Sequence, residues 1–226
     1  MPFYGNKIGV LDAITRTYSS ITVANLPAQT YNGGVLGLDN KLYFVPWIGR
    51  TRVPPVTGQM NVSKVTEIGI FDITTAQYST IDISGMQRSW WDERHYSKAI
   101  LAPDGTIYFF PYLCNYIFIL YPKESNRIRT YFIPRLDPSF ASRSGGVLAP
   151  NGKIYFLYYR DPFFRTNGFL SEYNLSTGLL TQILPDNMTT RYYGSHVLAK
   201  NGLIISNVWM NHIILLSGIP RLNDCE

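Results

Sequence analysis

The densest group of chemistry-bearing side chains in this sequence is Ser89-Trp90-Trp91-Asp92-Glu93-Arg94-His95-Tyr96. Two carboxylates beside an imidazole and a guanidinium could supply a general acid and base. The same residues also suit a simpler reading. Neighbours on a loop point in different directions, so Trp90 and Trp91 would plug a gap between structural units while the charges stay solvated. A second set is spread through the chain. Trp47, Tyr112, Tyr159 and Trp209 each stand five residues after an apolar position, namely Leu42, Ile107, Ile154 and Ile204. Such rings form either a packed collar or a stacking platform for a sugar or another flat ligand. Arg50, Arg52, Arg143, Arg160, Arg165 and Arg191 fall in segments without strand character. Arg with Tyr and Trp is the composition of an interface more than of a catalytic centre.

His95, His196 and His212 are the three histidines, and they are scattered. His196 falls on an apolar segment, where it would face a central channel or pack between units. No Gly-rich phosphate loop, no metal-ligand spacing and no Gly-x-Ser-x-Gly elbow occurs, so no cofactor, metal site or catalytic residue is assigned. Cys114 and Cys225 are the only cysteines. Two cysteines make neither a disulfide framework nor, alone, a structural zinc site.

What must position these residues is legible as a repeat. Val35-Leu36-Gly37-Leu38-Asp39-Asn40-Lys41-Leu42-Tyr43-Phe44 returns as Ile100-Leu101-Ala102-Pro103-Asp104-Gly105-Thr106-Ile107-Tyr108-Phe109. It returns again as Val147-Leu148-Ala149-Pro150-Asn151-Gly152-Lys153-Ile154-Tyr155-Phe156, and more loosely from Val197 to Ser206. A period of roughly 40–50 residues marks a propeller or solenoid. Each phrase reads as two strands about a turn, with Asp-Gly or Asn-Gly predicting a two-residue hairpin loop. Asp39-Asn40 replaces the glycine at modest strain.

A second hairpin follows each of the first three phrases. Ile68-Gly69-Ile70-Phe71-Asp72 through Ile81 matches Ile8-Gly9-Val10-Leu11-Asp12 through Ile21, with weaker copies from Ile117 and from Leu170. Phrase and hairpin together make four antiparallel strands, A to D, the blade of a β-propeller. The fold expected is all-β, a small propeller of about four to five blades in one domain over 1–226. The N-terminal half-blade spans 7–23, and blades lie near 31–83, 96–133, 143–184 and 193–217. The N-terminal C-D hairpin has no A-B hairpin before it. Closure is therefore expected from pairing of the N- and C-terminal strands, or from a partner. A two-sheet sandwich of repeated hairpins is the rival architecture.

Leu101-Ala102-Pro103-Asp104-Gly105-Thr106-Ile107-Tyr108-Phe109 and Leu148-Ala149-Pro150-Asn151-Gly152-Lys153-Ile154-Tyr155-Phe156 resemble the repeat of gluconolactonase-like and streptogramin-lyase-like propellers. The resemblance covers most of the chain at the level of fold. It implies six or seven blades with metal-binding carboxylates or catalytic histidines in the channel. Fewer blades are counted here, and those residues find no matching positions.

The 17 Tyr, 12 Phe and 4 Trp suit pleated, half-buried surfaces. Charged residues are 15% of the chain and the net charge is +5. No dense Lys/Arg run suggests nucleic acid, and no apolar run has the length of a membrane span. Met1 to Lys7 lacks the pattern of a secretory signal, which gives cytoplasmic synthesis as the expectation. In a propeller the A-B and C-D turns share one face, and the variable B-C and D-A connections share the other. Binding is expected on the variable face, at Trp47, Arg50, Arg52, Trp90, Trp91, His95, Tyr112, Arg143, Tyr159, Arg160, Arg191 and Trp209. The expected function is a non-catalytic binding or assembly module for a protein partner or for self-assembly, for example a virion or phage structural, decoration or receptor-binding subunit. The alternatives are a propeller lyase, lactonase or glycosidase, and a carbohydrate-binding lectin with a glycan ligand.

Overall fold

The computed structural model describes residues 7–24, 26, 31–46, 67–86, 96–111, 116–132, 145–158, 169–183, 193–199, 202–208 and 213–216. Seventeen strands form five antiparallel sheets among them. Blade 1 is β3 (Tyr31–Leu36), β4 (Lys41–Pro46), β5 (Glu67–Asp72) and β6 (Gln77–Asp82). Blade 2 is β7 (Tyr96–Leu101), β8 (Ile107–Pro111), β9 (Tyr116–Tyr121) and β10 (Arg127–Phe132). Blade 3 is β11 (Val147–Leu148), β12 (Lys153–Tyr158), β13 (Phe169–Asn174) and β14 (Leu180–Ile183). A three-stranded sheet follows, β15 (Tyr193–Leu198), β16 (Ile204–Val208) and β17 (Ile213–Leu216). The first hairpin, β1 (Lys7–Leu11) with β2 (Tyr18–Thr22), is a two-stranded sheet.

Burial follows strand position. The two middle strands of a blade carry apolar residues on both faces, because a neighbouring blade covers each face. In β9, Ile117, Phe118, Ile119 and Leu120 are all buried. The outermost strands β6 and β10 are exposed at four of six positions, and their polar alternation reflects one covered face. Between blades the core is continuous. Ile68, Ile70 and Ile83 of blade 1 pack with Tyr96, Phe109 and Phe118 of blade 2. Phe110 and Ile119 of blade 2 pack with Ile154, Phe156 and Tyr173 of blade 3. Val147 and Tyr155 of blade 3 meet Ile204 of β16.

The A-B turns differ from the two-residue loops expected. Ala102 N–H donates to Thr106 O at 2.8 Å and Gly105 N–H donates to Ala102 O at 3.0 Å. Pro103, Asp104 and Gly105 thus form a three-residue loop in which glycine takes the left-handed conformation, at φ 92°. Blade 3 repeats the arrangement at Ala149, Gly152 and Lys153. The turn after β15 has the same two bonds without a proline, Ala199 N–H to Leu203 O at 2.8 Å and Gly202 N–H to Ala199 O at 3.0 Å, so the loop does not depend on Pro103 or Pro150. Their fixed negative φ suits the first position of such a loop, which one left-handed residue closes. Asn40 holds the corresponding place in blade 1 at φ 58°.

The first hairpin packs on blade 1. Ile8, Val23 and Leu26 lie against Tyr31, Phe44 and Phe71. Among the described residues no ladder joins β1–β2 to β15–β17, so pairing of the two ends is not among the observed sheet contacts.

Candidate functional site

The strands present the expected binding face without describing it. β4, β8, β12 and β16 end at Pro46, Pro111, Tyr158 and Val208, each directly before one of the four recurring aromatic positions. Trp47, Arg50, Arg52, Trp90, Trp91, His95, Tyr112, Arg143, Tyr159, Arg160, Arg191 and Trp209 all lie outside the described residues. The structure therefore neither brings these twelve together nor separates them.

The opposite rim is described, and its polar groups are already engaged. Tyr43 donates its hydroxyl to Asp39 Oδ2 at 2.8 Å. Burial first, and this hydrogen bond second, push the Tyr43 hydroxyl above its ordinary value. In blade 3 the equivalent Tyr155 accepts from Asn151 Nδ2 at 3.0 Å and donates to Glu172 Oε2 at 2.9 Å. Lys153 Nζ pairs with Glu172 Oε1 at 2.8 Å, and this hydrogen bond raises the lysine. Blade 2 substitutes a shorter device: Asp104 accepts from Thr106 N at 2.8 Å and from Thr106 Oγ1 at 2.9 Å. Carboxylates tied to turns in this way hold the hairpins in shape. The C-D turns do the same, with Asp12 and Asp72 each accepting two backbone N–H bonds.

The inner strands carry one group that the sequence pattern did not single out. Lys98 in β7 stands where the other first strands have Gly33, Gly145 and Ser195. Register shifts in β3 between Tyr31 and Gly34, in β7 between Tyr96 and Lys98, and in β15 between Tyr193 and His196 mark a recurring bulge. Bulges re-aim side chains beside binding sites. The Lys98 stem runs against the segment leading into β11, since a Cβ on Gly145 would fall 2.2 Å from the Lys98 Cβ. Lys98 remains exposed, and the partial burial it does undergo lowers its pKa. The signal that could have revealed it is a lysine in a column otherwise of Gly and Ser. His196 lies on β15, opposite Ser206 in register.

A second missed feature is basic. Arg127 and Arg129 on the outer strand β10 stand over the Tyr121 ring, at 4.8 Å and 5.9 Å from its centroid. Arg127 also pairs with Glu124. Among the described residues no group of three or more His, Cys, Asp or Glu could hold a metal ion, and no helix is long and apolar enough to cross a membrane.

No family model and no curated protein sequence matches the chain. Solved structures do. The streptogramin B lyase structure aligns at TM-score 0.58 and 16% identity, over 86% of this chain and 54% of that one. Virginiamycin B lyase from Staphylococcus aureus aligns at TM-score 0.60 and 14% identity, over 97% of this chain and 65% of that one. The calcium-binding protein regucalcin from Agrobacterium tumefaciens aligns at TM-score 0.55 and 11% identity, over 95% of this chain and 58% of that one. The chain thus spans less than two-thirds of each of these proteins. At such identities the likeness concerns architecture alone, and with the four-stranded antiparallel sheets above it makes this chain a β-propeller by fold.

Proposed function

We propose that this protein is a non-catalytic binding and assembly module that holds a protein partner on the face reached by its B-C and D-A connections. One observation supports the reading. The turns on the opposite rim are short and closed by their own hydrogen bonds, whereas all four second strands run out directly into Trp47, Tyr112, Tyr159 or Trp209. A rigid scaffold with a closed rim leaves recognition to the other side. Arg50, Arg52, Arg143, Arg160 and Arg191 would surround the aromatic anchors there, with Trp90, Trp91 and His95 in the link before blade 2. A glycan is the alternative ligand, since the same rings would stack on sugar faces. A place in a virion is a narrower form of this reading that neither the fold nor the comparisons favour.

The test is native mass measurement and a glycan array on the same sample. The expected result is an oligomer or a retained glycan class that Trp47→Ala with Trp209→Ala abolishes and Leu38→Lys, on the exposed turn of blade 1, does not. A monomer that binds nothing overturns the proposal.

The likeness to a streptogramin B lyase favours one second reading, an enzyme working at the channel. Lys98 on an inner strand would then be a candidate participant. Incubation with a streptogramin B compound, followed by mass spectrometry, decides it: an unaltered compound ends that reading.

A further inference from the structure

Lys41, Lys123 and Lys153 lie on the closed rim, and each meets an oxygen of its own turn or its neighbour. Their partners are Asp39 Oδ2 at 3.9 Å, the Asp104 carbonyl oxygen at 3.0 Å and Glu172 Oε1 at 2.8 Å. Lys7 is exposed on the first hairpin. Lys98 is placed differently from all four. It stands on β7, and the first strands of neighbouring blades meet one another, β3 with β7 and β11 with β15. These strands therefore form the inner wall around the axis of the propeller.

That wall holds a single fixed charge. The strands β3, β7, β11 and β15 contain no Asp, Glu or Arg, and Lys98 is their one lysine. Among the described residues no carboxylate or carbonyl oxygen pairs with it. Burial is the cause that lowers its pKa, with no charged neighbour contributing. A cation partly withdrawn from water without a counter-charge is held at some cost to the fold.

The surroundings also leave room. At the same level in blade 1, a Cβ added to Gly33 would meet nothing within 4 Å. On the blade 3 side the Lys98 stem lies along the backbone, since a Cβ on Gly145 would fall 2.8 Å from its Cγ. The stem is thus braced on one side while the wall stays bare on the other. A braced side chain loses less rotamer freedom when it takes a ligand. The next position along the four strands is Gly34, Ala99, Gly146 and His196, so no acid stands there either.

We propose that Lys98 anchors a binding site for a small anionic molecule, one bearing a carboxylate or a phosphate, on the inner wall of the propeller. The ammonium supplies the counter-charge, and the glycines let the ligand approach the main chain closely. A cleft lined by one sign of charge concentrates ions of the other. Lysine acts as a point charge rather than a planar fork, which suits either anion. The proposal goes beyond both readings above, because it requires neither a protein partner nor turnover.

The experiment labels the full chain with limiting acetic anhydride at fixed pH and ionic strength, and reads each lysine by peptide mass spectrometry. Inorganic phosphate is titrated in one arm and citrate in the other. Labelling of Lys98 should slow along a saturation curve, by about tenfold when the anion stands at about ten times its half-saturation concentration. Lys7 should be unaffected, and the arm with the lower half-saturation identifies the preferred group. Calorimetry with the same anion should show binding that Lys98→Arg retains and Lys98→Met loses. No slowing at Lys98 in either arm, or equal slowing at Lys98 and Lys7, overturns the proposal. So does full anion binding by Lys98→Met, which would place the anion elsewhere.

Discussion

The hydroxyls of Tyr31 and Tyr78 lie 2.7 Å apart, joining the first and last strands of blade 1 across its full width. The bridge is possible because Gly69 and Phe44 lie beneath the Tyr31 ring, which stacks on Phe44 at 5.1 Å and 21°. Tyr31 also donates to Glu67 Oε1 at 3.2 Å. Burial is the main cause that raises the Tyr31 hydroxyl far above its ordinary value, with the Tyr78 hydrogen bond second.

Tyr31→Phe keeps the stacking and removes the hydroxyl bridge, so it should cost about 1 kcal/mol in urea unfolding. Gly69→Ala should cost more, about 1–3 kcal/mol, because its Cβ must displace a ring already in contact with Phe44. If Gly69→Ala matches an exposed control such as Thr80→Ala, the close approach does not hold the blade together.

The left-handed turn positions predict an ordering of substitutions. Gly152 has φ 72°, and an added Cβ would meet nothing within 4 Å. Any loss in Gly152→Ala is then a backbone loss, on the order of 1–2 kcal/mol. Gly152→Asn should lose less, because asparagine tolerates this conformation, as Asn40 already does at φ 58°. Asn40→Gly should change stability by no more than about 0.5 kcal/mol. Equal losses for alanine and asparagine at Gly152, by thermal or urea denaturation, would contradict the argument.

Tyr108 and Tyr131 pack around Tyr173, with ring centroids 5.8 Å and 5.4 Å away. Burial, then the neighbouring phenols of Tyr131 and Tyr121, push Tyr173 from 10.0 up to about 12. The unfolded chain releases this proton more readily than the folded one. The associated stability is therefore complete below pH 10 and declines as pH rises from about 10 to about 12. Tyr173→Phe should lose less stability than the parent over that interval, read from urea midpoints at stepped pH. Parallel profiles would show that Tyr173 does not drive alkaline unfolding.

The repeat made the blades legible because its two signals are local. A glycine or asparagine must take the left-handed position of a hairpin, and Ile-Tyr-Phe must alternate faces on a buried strand. Even so, the turns close as three-residue loops with or without a proline, which the Asp-Gly and Asn-Gly pairs alone did not reveal. The place of β1–β2 was less legible. Its likeness to β5–β6 was plain in Ile8-Gly9-Val10-Leu11, but its packing on Tyr31 and Phe44 depends on residues distant in sequence. Lys98 was missed for a related reason. Its meaning comes from standing opposite Gly145 on the next blade, and a strand pattern read along one blade holds no such information. The twelve candidate residues lie in connections of variable length, where no periodicity fixes the direction of a side chain.

Lys98 and Gly145 give the last prediction. A Cβ at 145 would sit 2.2 Å from the Lys98 Cβ and 2.4 Å from its Cδ, so β7 of blade 2 and the segment leading into β11 of blade 3 approach through this glycine. Gly145→Ala should therefore destabilise by about 1–3 kcal/mol, and Lys98→Gly in the same chain should recover part of the loss. Such coupling is expected only between residues in contact. Lys98 adds a pH test of definite sign. Its pKa lies below 10.5 in the fold because the surroundings disfavour the ammonium. The folded state is thus penalised at neutral pH, and the penalty lifts as pH rises through the folded value towards 10.5. Because Lys98 stays exposed and solvent screens it, Lys98→Met should be only slightly more stable than the parent at pH 7, with the gap narrowing in the alkaline range. A gap that stays constant from pH 7 to 10, measured by urea unfolding, would assign the gain to packing and remove the electrostatic argument.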